Sequence, residues 1–275
     1  MKRLAQFLNE MAMVDKTNLD FDFIRQAEKP TRFNIDVKDL IPRLQNTIRY
    51  LYVKNFFPKF AKKDNFLKSF NAIKINNAIK LLKQENKTQF SNMYQFDQSG
   101  IGPGELMLYF LIDGSSVGGG GSAGVDLIVG NKQYEAKSAE FDKGRNQVKG
   151  FKLGGTGELA SILAAAQRLK KKHDAVVNPI GTMKRSNKIS EINKQQMDKL
   201  KELEPKAWAQ IEKNYSSVAK TYFGTTNLVF MHSKRASGGK IGEIFASGII
   251  NANKVFIDQI TSNTIKPAIN IKDIR

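Results

Sequence analysis

Two carboxylates and an ammonium stand close together in the chain: Asp126, Glu135 and Lys137. Hard divalent cations take oxygen ligands, and Mg²⁺ is held by one or two carboxylates with waters and phosphate oxygens. A lysine beside such a cation can orient or deprotonate a water and offset charge on a phosphoryl group. The intervening residues favour convergence. Asp126-Leu127-Ile128-Val129 reads as a buried strand, Gly130-Asn131 as a two-residue turn, and Lys132 to Ser138 as the returning strand of a hairpin. Period two puts Glu135 and Lys137 on one face of that strand, and Asp126 opens its neighbour. An ordinary surface hairpin with a cross-strand ion pair would carry the same three residues, so the surroundings must decide between the two.

Asp126, a spacer of eight residues and Glu135-Ala136-Lys137 resemble the motif of the PD-(D/E)xK nuclease superfamily, the fold of many restriction endonucleases. The family pattern is Asp, a spacer, then Glu-x-Lys with an apolar x; Val125 stands where a proline is usual. The family often adds a glutamate from the preceding helix, and Glu105 in Gly102-Pro103-Gly104-Glu105 fits that place. The resemblance covers about residues 99 to 260. It implies an α/β fold, with a restriction-endonuclease-like mixed β-sheet flanked by helices. It also implies a metal-dependent DNA nuclease. Asp126 and Glu135, with the Ala136 carbonyl, would bind Mg²⁺ or Mn²⁺. Lys137 would position the attacking water, and Glu105 would assist the metal or tune that water. Compensation of the helix dipole is the alternative role for Glu105.

The flanking elements must position these groups. Pro103 suits a helix start, and 103–112 is apolar nearly all round, which marks a buried helix. Gly114 to Gly124 lacks the Gly-Lys-Ser/Thr ending of a phosphate loop and precedes a strand. A flexible loop with room for a DNA backbone is expected there. Beyond the hairpin, Thr156 is expected to cap a helix over 158–172, with Leu159, Ile162, Leu163, Ala166 and Leu169 inward and His173 at its C-terminal end. Residues 178–223 are mostly polar. They predict helices over 189–203 and 204–222, broken near Pro205, with Trp208 and Ile211 on a packing face: a helical insertion that grips DNA or a partner. Strands are expected over 227–232, 242–250 and 255–260, and no element is assigned from Thr261 onward.

The whole chain has 275 residues, 44 Lys and Arg against 26 Asp and Glu, and a formal charge of +18. A polyanion is the simplest partner for that imbalance, and DNA the commonest. The length suits a basic helical region over 1–98 and a nuclease-like core over 99–275. Within the first region Asp36 is expected to cap a helix to Val53. A second helix is expected over 65–84, with Leu67, Phe70, Ile73, Ala78 and Leu81 as its apolar stripe. From Lys54 to Lys87, both included, there are nine lysines and two acids. Lys62 and Lys63 there, and Arg145, Lys149 and Lys152 beyond the hairpin, are candidate phosphate contacts. The absence of cysteine excludes disulfides and thiolate chemistry. Two distant histidines, His173 and His232, argue against a zinc site. No apolar run is long enough for a membrane span, and no signal-peptide core is present. Met1 to Glu10 resembles the starts of T-even-type tailed-phage proteins, in some of which such a segment is cut after Leu/Ile-x-Glu; Leu8-Asn9-Glu10 fits. That resemblance implies the host cytoplasm or the phage particle as location, and phage structural proteins as partners. It also brings an alternative function, a catalytically silent DNA-binding structural protein. A plain amphipathic helix would explain the same residues.

Overall fold

Short strands joined by tight turns set the topology. The computed structural model describes residues 57–63, 65–95, 103–117, 125–153, 157–180, 191–224, 226–233 and 239–275. Met1 to Glu10, the helix expected over 36–53, and Thr156 lie outside these. The first elements are helices α1 (Pro58–Lys62), α2 (Ala72–Glu85), α3 (Lys87–Gln95) and α4 (Pro103–Leu111). Strands β1 (Ser115–Val117), β2 (Leu127–Val129), β3 (Lys132–Asp142) and β4 (Gln147–Lys149) follow. Then come α5 (Gly157–Lys172), α6 (Asp174–Val177), α7 (Lys194–Leu203) and α8 (Pro205–Phe223). Strands β5 (Asn227–His232), β6 (Ile244–Gly248), β7 (Phe256–Ile260) and β8 (Ile265–Asn270) complete the described chain.

Among the described residues eight strands pair in the order β1-β2-β3-β4-β8-β7, with β5 on β3 and β6 on β5. The ladders β1–β2, β2–β3, β3–β4, β4–β8 and β7–β8 are all antiparallel. The fold is thus α/β, with an open antiparallel sheet flanked by helices, where the sequence predicts a mixed sheet. Connection length explains the difference. Two residues separate β2 from β3, and four separate both β3 from β4 and β7 from β8; a parallel pair needs a crossover of a dozen or more. The turns carry fitting residues. Gly130 has φ 61° at the first turn position, where a II′ turn requires glycine. Asn146, at φ 54°, is the one non-glycine residue with positive φ among those described, a conformation asparagine tolerates. The β7–β8 ladder shifts register between Ile257 and Gln259. That irregularity lies beside Pro267, the one residue of β8 with no N–H to give.

The described residues form two compact units, and the division falls inside β3, between Ala136 and Lys137. The first comprises the described parts of Met1–Gly121 with Val125–Ala136 and Met231–Ile244. Its core includes Phe57, Phe60, Ile79, Leu82, Leu127 and the run Met107 to Ile112, all at most 2% exposed. The all-round burial of α4 is as its composition predicts. The phase of α2 is not. Its helix starts only after Asn71, whose side chain accepts the Lys74 N–H at 3.0 Å, and its buried face is Ile75, Ala78, Ile79 and Leu82. Ile73 and Leu81, expected inside, are 74% and 43% exposed. Leu67 lies before the helix and forms a parallel bridge with Ile112.

The second unit comprises the described parts of Lys137–Phe230 with Phe245–Arg275. Its core draws on Ile162, Ala166 and Leu169 of α5, on Met197 and Leu200 of α7, and on Trp208, Ile211, Tyr215, Val218, Ala219 and Phe223 of α8. The helices over 194–223 therefore supply much of this core, and Trp208 and Ile211 are buried in it as the sequence predicts. Their polar residues cover one face, and the apolar stripe at helical spacing is buried. Pro205 occupies the first turn of α8, which is where the expected break falls.

Candidate active site

The first unit holds Asp126, Glu135 and Ala136 on the β2–β3 hairpin. Leu127 pairs with Tyr134, Ile128 with Gln133 and Val129 with Lys132, so the turn brings Asp126 to the middle of β3. Its N–H donates to the Tyr134 carbonyl at 2.9 Å, and its Oδ2 accepts the Ala136 N–H at 2.8 Å. Asp126 is thus bonded to the residue on each side of Glu135. Glu135 itself is 3% exposed, a depth at which a carboxylate pays heavily for lost hydration. Tyr134, on the opposite face of the strand, stacks on Phe70 with ring centroids 4.5 Å apart. This contact anchors the strand against the first unit's own core.

Glu105 lies in the first turn of α4 and is half-buried. Carboxylates favour that end of a helix dipole. A Cβ on the preceding Gly104 would meet Met231 Sδ at 2.9 Å, a contact that a shift of the flexible thioether would relieve. Among the described residues no group of three or more His, Cys, Asp or Glu side chains could hold a metal ion. Glu105, Asp126 and Glu135 therefore do not form a three-acid cluster. Two carboxylates remain sufficient for a hydrated Mg²⁺.

Lys137 belongs to the second unit, where its surroundings are definite. Its Nζ donates to the Tyr222 hydroxyl at 2.8 Å and lies 5.2 Å from that ring's centroid. The sequence gives no individual role to Tyr222. Its signal was the stripe Trp208, Ile211, Tyr215, Val218, Tyr222, whose spacing of three and four keeps one face of α8 turned inward.

The candidate phosphate contacts differ in how far they are committed. Lys62 and Lys63 are exposed at the C-terminal end of α1. Lys152 is exposed too. Arg145 reaches Asp258 at 3.9 Å, and Lys149 pairs with Asp142 at 3.0 Å. The hydrogen bond from Lys149, helped by the Arg145 N–H, holds the Asp142 carboxyl below its ordinary range. These two cations are thus partly spent within the protein.

Of the histidines, His173 does more than end its helix. Its Nε2 lies 2.9 Å from Glu204 Oε1, beside an ion pair from Lys172 to the same oxygen. Hydrogen bonds from Lys172 and then His173 keep the Glu204 carboxyl low. Engaged this way, Glu204 makes no side-chain cap to α8. His232 ends β5, as expected, and burial followed by Lys240 pushes its imidazole below the ordinary value. A groove of about 460 Å³ between α5 and α8, floored by Ile162, Ile211 and Val218, contains none of the candidate catalytic, metal or phosphate-binding residues. No described helix is long and apolar enough to cross a membrane. Comparison of the chain with family models, curated proteins and solved structures finds no match in any of the three.

Proposed function

We propose that this chain is a metal-dependent DNA nuclease of the PD-(D/E)xK kind, with a restriction-endonuclease-like core. The observation that carries the proposal is the bonding of Asp126 to both neighbours of a buried Glu135. Two hard oxygen donors on adjacent strands match what Mg²⁺ or Mn²⁺ prefers, and a cation would offset the cost of burying Glu135. Asp126, Glu135 and the Ala136 carbonyl would hold the ion, which supplies Lewis-acid stabilisation of the phosphoryl charge when bound. Lys137, two residues along the same strand, would orient the attacking water. Glu105 is not needed in this minimal set. The charge of +18 suits a phosphodiester polyanion.

A second reading is a DNA-binding structural protein of a phage particle, without catalysis. It is favoured by the lack of a three-ligand group among the described residues and by the turn of the Lys137 ammonium toward Tyr222. The deciding experiment gives purified protein supercoiled, linear and single-stranded DNA with Mg²⁺ or Mn²⁺. Cleavage that vanishes with EDTA, and in Asp126→Asn and Lys137→Ala while binding persists, supports the nuclease. Binding without cleavage of any DNA form selects the structural protein, and neither activity overturns both. Presence of the chain in particles, starting at residue 11, would support the phage assignment.

A further inference from the structure

We propose that Tyr222 is a positioning residue for Lys137. This rests on the nuclease reading, in which the Lys137 ammonium serves the scissile phosphate. A lysine ammonium is a point charge on a flexible four-carbon stem, so something must fix its direction before it can orient a water. Tyr222 is built to do so. It lies one residue before the end of α8, and its ring meets Phe223 edge-on, with centroids 5.3 Å apart. Phe223 is 1% exposed and packs on Phe151 within the same unit. The phenol is therefore tied to the core by its neighbour.

One directed contact reaches the lysine from this side chain. The phenol oxygen accepts an N–H at 2.8 Å, and with Nζ 5.2 Å from the ring centroid the ammonium lies beyond the hydroxyl, near the ring plane. An ammonium has three N–H donors in fixed mutual geometry. Directing one of them to the phenol sets where the other two point. Tyr222 touches neither substrate nor metal in this scheme; it acts through Lys137.

The test compares Tyr222→Phe, which keeps the ring and removes the hydroxyl, with Tyr222→Leu, which removes the ring as well. Steady-state cleavage with Mg²⁺ is measured for each variant and for Lys137→Ala, and melting temperatures are recorded. The expected result for Tyr222→Phe is a fall in kcat of roughly tenfold, the rate equivalent of one hydrogen bond to a charged group. KM for DNA and the melting temperature should be unchanged, and Tyr222→Leu should lose at least as much kcat. Wild-type kcat in Tyr222→Phe alongside an inactive Lys137→Ala would overturn the role of Tyr222 and leave the nuclease standing. A loss explained by a raised KM or a lowered melting temperature would do the same. Absence of cleavage by the unaltered protein would remove the nuclease and this role with it.

Discussion

Substituting Asp126 separates its structural task from its chemical one. Its Oδ2 accepts the Ala136 N–H at 2.8 Å; asparagine keeps an oxygen there and alanine does not. In Asp126→Ala that N–H loses its acceptor in a strand whose neighbouring residues Tyr134 and Glu135 are buried. An unmet buried donor costs about 1–3 kcal/mol. Ala136 is itself half-buried, so the lower part of that range, about 1–2 kcal/mol, is expected. In Asp126→Asn a charge-assisted bond becomes a neutral one of roughly half the strength, a loss of about 0.5–1 kcal/mol. Both variants should fold, given a typical total stability of about 5–15 kcal/mol. Urea denaturation followed by circular dichroism should rank the wild type first, Asp126→Asn second and Asp126→Ala third. Cleavage should rank them differently, with both variants inactive, because both lack the carboxylate. Equal destabilisation of the two variants would refute the hydrogen-bond argument. Wild-type cleavage by Asp126→Asn would refute the metal-ligand argument.

Other perturbations address separate parts of the molecule. The Asn76 side chain exchanges two hydrogen bonds of 2.7 Å with the main chain of Ile244. Asn76→Ala should cost about 2–3 kcal/mol in urea titrations, after a few tenths are returned by helix propensity; no change would refute a clamping role. His232 is held below its ordinary value by burial and then Lys240, with Glu243 opposing and Lys83 adding. The unfolded chain therefore takes up the proton first, so this contribution is present above about pH 6.5 and lost as pH falls below it. Urea midpoints at about pH 7.5 should exceed those at about pH 5.5, and His232→Gln should shrink the gap; an unchanged gap would refute it. Asp142 and Glu204, also held low, lose their contributions only at more acid pH, near the ordinary carboxylate range. If Lys62 and Lys63 neutralise phosphates, replacing both by alanine should lower the slope of log affinity against log salt by about two. Lys149→Ala, already paired with Asp142, should lower it less.

The parts of the fold legible in the sequence are those fixed by local chemistry. Gly130-Asn131 between an apolar run and an alternating one gives the hairpin, and with it the approach of Asp126 to Glu135. Pro205 marks the corner between α7 and α8, and the all-apolar stretch after Pro103 marks α4. What escaped depends on tertiary context. The α2 stripe is misphased because Leu67 and Phe70 lie ahead of the Asn71 cap, so counting from them selects the wrong face. On α8 the reading stops at Trp208 and Ile211; Tyr215, Val218, Ala219 and Phe223 are buried as well, but lysines and serines between them mask the stripe. The far end of β3, Ala139 to Asp142, is too polar to read as a strand; Ala139, 2% exposed, is its main contribution to the core. The partnership of Lys137 with Tyr222 spans 85 residues, and no local pattern encodes it.

A strand containing proline is usually placed at the rim of a sheet, yet β8 is paired on both sides, to β4 and to β7. The Ile271 N–H donates to the Asn146 carbonyl, so the main-chain nitrogens of Ile269 and Pro267, two and four residues back, face β4 as well. The β4 ladder ends at the pair of Lys149 with Ala268, one residue short of Pro267. The ring nitrogen therefore sits just past the last rung on the one side where a hydrogen would be asked of it, and the proline marks where β4 must let go.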